Sequence, residues 1–163
     1  MRVFCLCFLV SAALACLPAN AQKLKIEPNQ QYLLLATKQT STMQEELSEA
    51  AKQGFRIVVG SPTSGTEMVL LLERVAQPPE TYSYRLLATT RTGTMQKELN
   101  EAAREGFRLL PRTMIEKAGS GMFALGKDGP KEIVAVLERA PKPDRFYEYK
   151  LLATSLTSTL QQE

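Results

Sequence analysis

The chain has 163 residues, and 20 Lys and Arg against 17 Asp and Glu give it a formal net charge of +3. This length allows one domain or two small ones, and an apolar fraction of 44% is ordinary for a globular protein. The nearly balanced charge argues against a nucleic-acid partner, which requires clustered Lys and Arg. The sequence contains no His, which excludes Ser–His and Cys–His nucleophiles.

The first 21 residues have the features of a secretory signal. One charge, Arg2, precedes an apolar run over residues 3–17. That run of about 15 residues is shorter than the roughly 20 of a membrane span and fits the core of a signal peptide. Small residues at positions 19 and 21 predict cleavage between Ala21 and Gln22. We therefore expect a periplasmic or secreted protein with no stable membrane span after cleavage.

Two other interpretations of this segment remain open. Cys16 could be the lipidated first residue of a lipoprotein, or the apolar run could stay as an uncleaved anchor. Cleavage after Ala21 would remove all three cysteines, Cys5, Cys7 and Cys16. The mature chain would then form no disulfide and offer no thiolate ligand to zinc.

The remainder of the chain repeats itself. Leu-Leu-Ala-Thr begins at positions 34, 86 and 151, each time two residues after a Tyr. Glu-Ala-Ala followed by Gly-Phe-Arg occurs twice, in the same order. Such self-similarity indicates duplication. The predicted division is a signal peptide at 1–21, an N-terminal segment at 22–31, a first repeat at 32–77, a linker at 78–83, a second repeat with a longer hairpin at 84–140, and a linker with the start of a truncated third repeat at 141–163.

The last of these segments has a second interpretation, in which its strand completes a sheet built by the first two repeats. Each full repeat is predicted to run strand, helix, strand, strand. In the first repeat the strands are predicted at 32–37, 56–59 and 67–74. The third strand is apolar on both faces, which is typical of the centre of a sheet, so the other two strands should lie at the edges.

The helix of the first repeat has one apolar stripe, formed by Met43, Leu47, Ala50 and Ala51. Ser41 or Thr42 is predicted as its N-cap. At the other end, a Gly followed by Phe predicts a left-handed residue that stops the helix and a ring that folds back on the last turn. These two positions are Gly54 and Phe55 in the first repeat and Gly106 and Phe107 in the second.

The predicted fold class is α+β, with tandem βαββ repeats that each form a three-stranded antiparallel sheet with one amphipathic helix on one face. A single helix layer leaves the opposite face of each sheet uncovered. We therefore expect the two repeats, or two chains in a homo-oligomer, to bury these faces against each other.

Repeated Arg and Tyr side chains are the candidate binding residues. The arginines either pair with Glu73 and Glu138 at the ends of the sheets or grip an anionic group of a ligand or cell-wall polymer. The tyrosines either pack in the core or form an aromatic platform for a carbohydrate or peptide. The candidate contacts are Arg56, Arg108, Arg74, Arg139, Tyr84 and Tyr149.

We predict no catalytic, cofactor or metal site. Gly119-Ser120-Gly121 lacks the strand-to-helix setting of a phosphate loop. The acidic residues of the first helix are predicted to form its solvent-exposed face. The longer hairpin between Arg112 and Lys131 either packs on its own sheet or carries function. We therefore expect that the protein is not an enzyme.

Two motifs resemble a known family. Tyr82-Ser83-Tyr84-Arg85 and Tyr147-Glu148-Tyr149-Lys150 match a Tyr-x-Tyr-Lys strand, and residues 99–109 match a helix ending in Gly-Trp-Glu-Leu, with Phe for Trp and Arg for Glu. Both full repeats thereby resemble a small bacterial family, the domain of unknown function numbered four-one-seven-seven. The resemblance implies a βαββ fold, and since that family has no established activity it implies no function.

The sequence thus predicts an exported, non-catalytic binding or interaction module of the bacterial cell envelope. Its partner would be a protein, a glycan or a small ligand. The alternative is a small-ligand carrier that traps an aromatic or anionic ligand between assembled βαββ units.

Overall fold

The computed structural model describes residues 24–63, 67–75, 81–118, 131–143 and 145–152. The predicted signal peptide, the middle of the longer hairpin and the predicted third helix turn lie outside the described residues.

The described elements fall into two halves of similar order. The first half contains β1 (Tyr32–Thr37), α1 (Thr40–Lys52), β2 (Phe55–Pro62) and β3 (Met68–Arg74). The second half contains β4 (Ser83–Thr89), α2 (Thr92–Arg104), β5 (Arg108–Leu109), a 3-10 turn (Pro111–Thr113), β6 (Ile115–Ala118) and β7 (Lys131–Arg139). The predicted α+β class is confirmed.

Each half forms an antiparallel sheet with its last strand inside. The first sheet has the order β1-β3-β2, and in the second β7 pairs with β4 on one side and with both β5 and β6 on the other. The central position predicted for the apolar third strand is confirmed. The prediction of three strands is wrong for the second sheet, which has four.

The extra strand arises because β5 is interrupted. Pro111 has no N–H to donate to the ladder, and a 3-10 turn follows in place of the strand. The hydroxyl of Thr113 fills the gap, since it accepts a hydrogen bond from Val136 N at 3.2 Å and donates one to Leu110 O at 2.7 Å. The strand resumes as β6 at Ile115.

The helices bury the predicted stripes but begin earlier than predicted. Met43, Leu47, Ala50 and Ala51 are all buried. The predicted N-caps Ser41 and Thr42 are wrong, because α1 begins at Thr40 with Gln39 at the N-cap. The hydroxyl of Thr37 accepts a hydrogen bond from Gln39 N, so the chain turns into the helix two or three residues sooner than predicted.

The helix ends follow the Gly-Phe prediction. Gly54 and Gly106 both have a φ of 84°, in the left-handed region. After α2, Phe107 N donates to Ala102 O at 3.1 Å and Gly106 N donates to Ala103 O at 3.0 Å. This is the hydrogen-bond pair of a Schellman motif, and it directs the Phe107 ring into the core.

The layers alternate as sheet, helix, sheet, helix. Helix α1 contacts β1 and β2 of its own sheet and also β4 of the next, so one core contains Leu33 and Leu72 from the first half together with Val134 and Val136 from the second. A smaller core forms around α2, on which Tyr149 and other residues of the 145–152 segment pack.

Between the two halves of one chain, the predicted burial of opposite sheet faces against each other is therefore wrong; the alternative, burial between two chains, stays a prediction. The second sheet buries its face on the helix layer of the first half, because α1 presents apolar side chains to both sheets. In the described part of the chain, the corresponding face of the first sheet remains open, with Leu34 61% exposed. No helix among the described residues is long and apolar enough to cross a membrane.

Candidate functional site

A buried carboxylate, Glu138, lies at the centre of the candidate site. It is only 3% exposed, and its two oxygens accept four hydrogen bonds. Oε1 accepts from Nη2 of Arg56 at 2.8 Å and from Nη2 of Arg108 at 2.9 Å. Oε2 accepts from Nε of Arg56 at 2.9 Å and from the hydroxyl of Tyr84 at 3.1 Å. The buried charge is thus fully partnered, as burial requires.

Strand pairing explains why these side chains meet. Glu138 is opposite Tyr84 of β4 and opposite Arg108 of β5. Because side chains alternate along a strand, Glu138 shares its face with Val136 and points toward the first half. Arg56, at the start of β2, reaches this face from the other sheet.

The pairing of Arg56 corrects one alternative from the sequence. The register places Arg56 directly opposite Glu73 in its own sheet, where a cross-strand ion pair was predicted. Arg56 instead forms a bidentate pair with Glu138 in the other half. The hydrogen bonds that Arg56 donates to Glu138 raise the pKa of Arg56 above its ordinary value. Arg108 does pair within its own sheet, also with Glu138.

Tyr84 links both halves through its hydroxyl group. The hydroxyl donates to Glu138 and accepts a hydrogen bond from Ile57 N at 3.2 Å. Burial, and next the negative charge of Glu138, raise the pKa of Tyr84 far above its ordinary value. The protonated hydroxyl can donate and accept at the same time, and it thereby bridges the two halves.

Arg74 and Arg139 occupy a different place in the structure. Their guanidinium carbons lie 4.4 Å and 4.7 Å above the ring centroids of Phe55 and Phe107. Arg74 also donates to Gln53 O at the end of α1, at 2.9 Å. Both arginines thus cover the Gly-Phe corners at the helix ends, where a cation interacts favourably with the aromatic ring and the helix dipole.

Tyr149 contacts the second half in the way that Tyr84, of β4, contacts the first half. Its hydroxyl accepts a hydrogen bond from Leu109 N at 2.7 Å. Its ring stacks on Tyr147, with centroids 6.3 Å apart. Tyr149 is half-buried by these contacts.

A cavity of about 150 Å³ opens beside the arginine–glutamate cluster. Arg56 and Arg108 form its floor together with Glu138, and their side chains are 36% and 45% exposed. The guanidinium of Arg56 lies 4.5 Å over the ring of Tyr82, which is one wall. The remaining lining residues are Gly106, Ala140, Pro143, Arg145 and Tyr147.

The cluster has an excess of positive charge on the side that faces this cavity. Two guanidinium groups share one carboxylate, and the carboxylate is buried while both cations reach solvent. The arrangement suits an anionic group, which could accept hydrogen bonds from the exposed guanidinium edges. No cluster of three or more metal-ligating side chains occurs among the described residues.

Two features of the site were missed from the sequence. Glu138 was considered only as an ion-pair partner, and the equivalent Glu73 left the sequence with no signal that both arginines share one acceptor. The contacts of Gln44 were also missed: its side-chain amide donates to Tyr84 O and accepts from Leu86 N. The repeated Thr-Met-Gln at 42–44 and 94–96 was the available signal, and its function appears only where the helices meet the following strands.

No protein-family model matches the chain, and no curated protein or solved structure is detectably similar to it. The resemblance to the bacterial family of unknown function therefore stays a prediction.

Proposed function

We propose that the protein is a non-catalytic binding module that holds an anionic group in the arginine cavity between its two halves. The observation that carries this proposal is the two-to-one ratio of guanidinium groups to the buried Glu138. Because Arg56 and Arg108 keep exposed N–H groups at the cavity, a carboxylate or phosphate would complete their hydrogen bonding.

The cavity walls favour an anionic group attached to a planar or apolar body. Tyr82 and Tyr147 line the cavity, and tyrosine rings offer apolar contact area with a polar edge. An aromatic carboxylate combines both features. The predicted signal peptide supports a ligand or polymer of the bacterial cell envelope as the natural partner.

Titration of the protein with benzoate and, separately, with inorganic phosphate tests the proposal. Backbone and Arg side-chain NMR signals of Arg56 and Arg108 should shift with saturable dependence on benzoate, and more weakly on phosphate. In Arg108→Gln, the affinity for benzoate should fall about tenfold or more, since one charged hydrogen bond is worth roughly 1.5–3 kcal/mol.

Arg104→Gln is the matched control, because Arg104 is an exposed arginine in the last turn of α2 and does not line the cavity. It should bind benzoate as the original protein does. Equal losses in Arg104→Gln and Arg108→Gln would mean that benzoate responds only to net charge, and the cavity would then not be the site.

A carrier function is the second candidate, because the cavity is formed by residues of both halves. A ligand held there would be enclosed between two units, as the alternative prediction requires. Native mass spectrometry of protein purified from its source distinguishes the two. A retained small molecule would favour the carrier, whereas a co-purifying protein or glycan would favour the interaction module.

A further inference from the structure

The joint between the two halves includes a set of hydrogen bonds to β4, in addition to the shared core and the Arg56–Glu138 pair. The side-chain amide of Gln44, on α1, donates to Tyr84 O at 3.0 Å and accepts from Leu86 N at 2.8 Å. These hydrogen bonds occupy the outer edge of β4 in the way that a neighbouring strand would. The hydroxyl of Tyr84 adds a contact with β2, because it accepts a hydrogen bond from Ile57 N at 3.2 Å.

The same contacts recur one unit further along the chain. The side-chain amide of Gln96, on α2, donates to Tyr149 O and accepts from Leu151 N. The hydroxyl of Tyr149 accepts from Leu109 N, and Asn100 adds hydrogen bonds to both backbone groups of Tyr149. Helix α2 with β5 is therefore a receptor for a Tyr-x-Leu segment, and residues 145–152 fill it.

The first sheet presents a third copy of this segment, at Tyr32 and Leu34, which no helix of the described residues holds. The carbonyl of Tyr32 accepts a hydrogen bond from the nearby side chain of Gln30 at 2.8 Å. In β1, Tyr32 and Leu34 are 56% and 61% exposed, and Val58 of β2 is 41% exposed on the same sheet. Tyr32 pairs with Glu73 in the register in which Tyr84 pairs with Glu138. The equivalent side chains of β4 are buried or half-buried against α1.

We propose that this face of the first sheet docks on the α2–β5 receptor of a second copy of the chain, where it replaces residues 145–152. The occupant is a copy because β1 carries the residues that α2 already binds within the chain, in the same spacing. The contact joins two different surfaces, so it is head-to-tail and leaves a further receptor and a further strand at its ends.

The tethered segment sets the strength of this association. Residues 145–152 compete with the incoming strand at an effective concentration in the millimolar range. They place Tyr149 and Leu151 in the core around α2, whereas the first sheet would bring side chains from several strands. The full chain should therefore associate weakly, and it should associate more strongly when its own segment is weakened.

Sedimentation equilibrium of the full chain as a function of concentration tests the proposal. The mean mass should rise with concentration, and Leu151→Asp should lower the dissociation constant about tenfold or more. Adding Leu34→Asp should restore a monomer, while Met114→Asp, at an exposed apolar residue of the second half, should leave the association unchanged. A monomeric Leu151→Asp, or equal association with and without Leu34→Asp, would overturn the proposal.

A cross-linking measurement does not depend on the fold of Leu151→Asp. A photo-reactive amino acid in place of Leu34 is activated in an equal mixture of light and heavy-nitrogen chains. Cross-links of mixed isotope to the α2 segment around Gln96 and Asn100 are expected. Mixed cross-links that are absent, or that join position 34 only to other regions, would overturn the head-to-tail contact.

Discussion

The two halves of the molecule end their central strand with the same Glu-Arg pair, yet the two glutamates have different surroundings. Glu138 is buried and accepts hydrogen bonds from two arginines and a tyrosine. Glu73, at the equivalent place, is half-buried and accepts one long hydrogen bond, at 3.5 Å, from the hydroxyl of Tyr32.

The difference shows that the candidate site belongs to the joint and not to the repeat. Glu138 faces the first half, whose Arg56 reaches it. The face that carries Glu73 has no preceding half among the described residues, so its polar groups remain near water. The same residues therefore make a surface in one half and a charged, enclosed cluster in the other.

The Gly-Phe corners should contribute similarly to stability in the two halves. Substitutions there should cause the largest loss of stability. Phe55 and Phe107 are both buried beneath an arginine. We expect Phe107→Ala to lower the free energy of unfolding by about 3–5 kcal/mol, from lost burial and the resulting cavity. Urea denaturation measures this loss.

Phe55→Ala is the matched variant in the first half and should cost a similar amount. An unchanged urea midpoint in Phe107→Ala would contradict the buried corner and would make its ring a candidate contact residue.

The difference between the two halves should be clearest when the stability losses of the two glutamate variants are compared. Glu138→Ala leaves Arg56, Arg108 and the Tyr84 hydroxyl without their shared acceptor. Since both arginines reach solvent, we expect a loss of about 3 kcal/mol, at the low end for a broken buried ion pair. Glu73→Ala should cost less than about 1 kcal/mol. Comparable losses in the two variants, measured by urea denaturation, would show that the joint does not depend on Glu138.

The tyrosine hydroxyls should follow the same division with a smaller effect. Tyr84→Phe leaves Ile57 N and one oxygen of Glu138 short of a partner, and we expect a loss of about 1–2 kcal/mol. Tyr32→Phe should change the stability by less than about 0.5 kcal/mol, because its hydroxyl is exposed. Thermal unfolding of both variants provides the comparison. A loss in Tyr32→Phe as large as that in Tyr84→Phe would argue against the assigned roles.

Two glycines of the second half should respond in opposite directions to the same change. Gly106 has a left-handed backbone, and an added Cβ would lie 3.1 Å from Cβ of Pro143. Gly106→Ala should therefore destabilise the protein by about 1 kcal/mol or more. Gly93 lies in α2 with nothing within 4 Å of an added Cβ, so Gly93→Ala should stabilise by up to about 1 kcal/mol.

Chemical denaturation of the two glycine variants measures whether each substitution raises or lowers the free energy of unfolding. Stabilisation by Gly106→Ala would show that the corner relaxes out of the left-handed region.

Local sequence predicted much of the fold. Three features depend only on neighbouring residues and on strand periodicity: the apolar stripes, the Gly-Phe helix ends and the central third strand. They can therefore be predicted without knowledge of the tertiary packing. The N-caps were misplaced because Thr37 and Thr89, just outside the helices, bind the N–H groups of Gln39 and Arg91 and set the start. The break in the second sheet depends on how Thr113 bonds to β7, which the composition of the turn does not reveal.

The sequence by itself determined which residues recur and which local structures they form. It named Arg56, Arg108 and Tyr84 as candidates without a reason to place them together. Only the tertiary structure decided that they converge on Glu138, because Arg56 is 82 positions away from it in the chain. A contact at that separation depends on how the second sheet packs on α1. The two halves have equivalent sequences and therefore offer two equivalent glutamates, and only this packing brings one of them to Arg56.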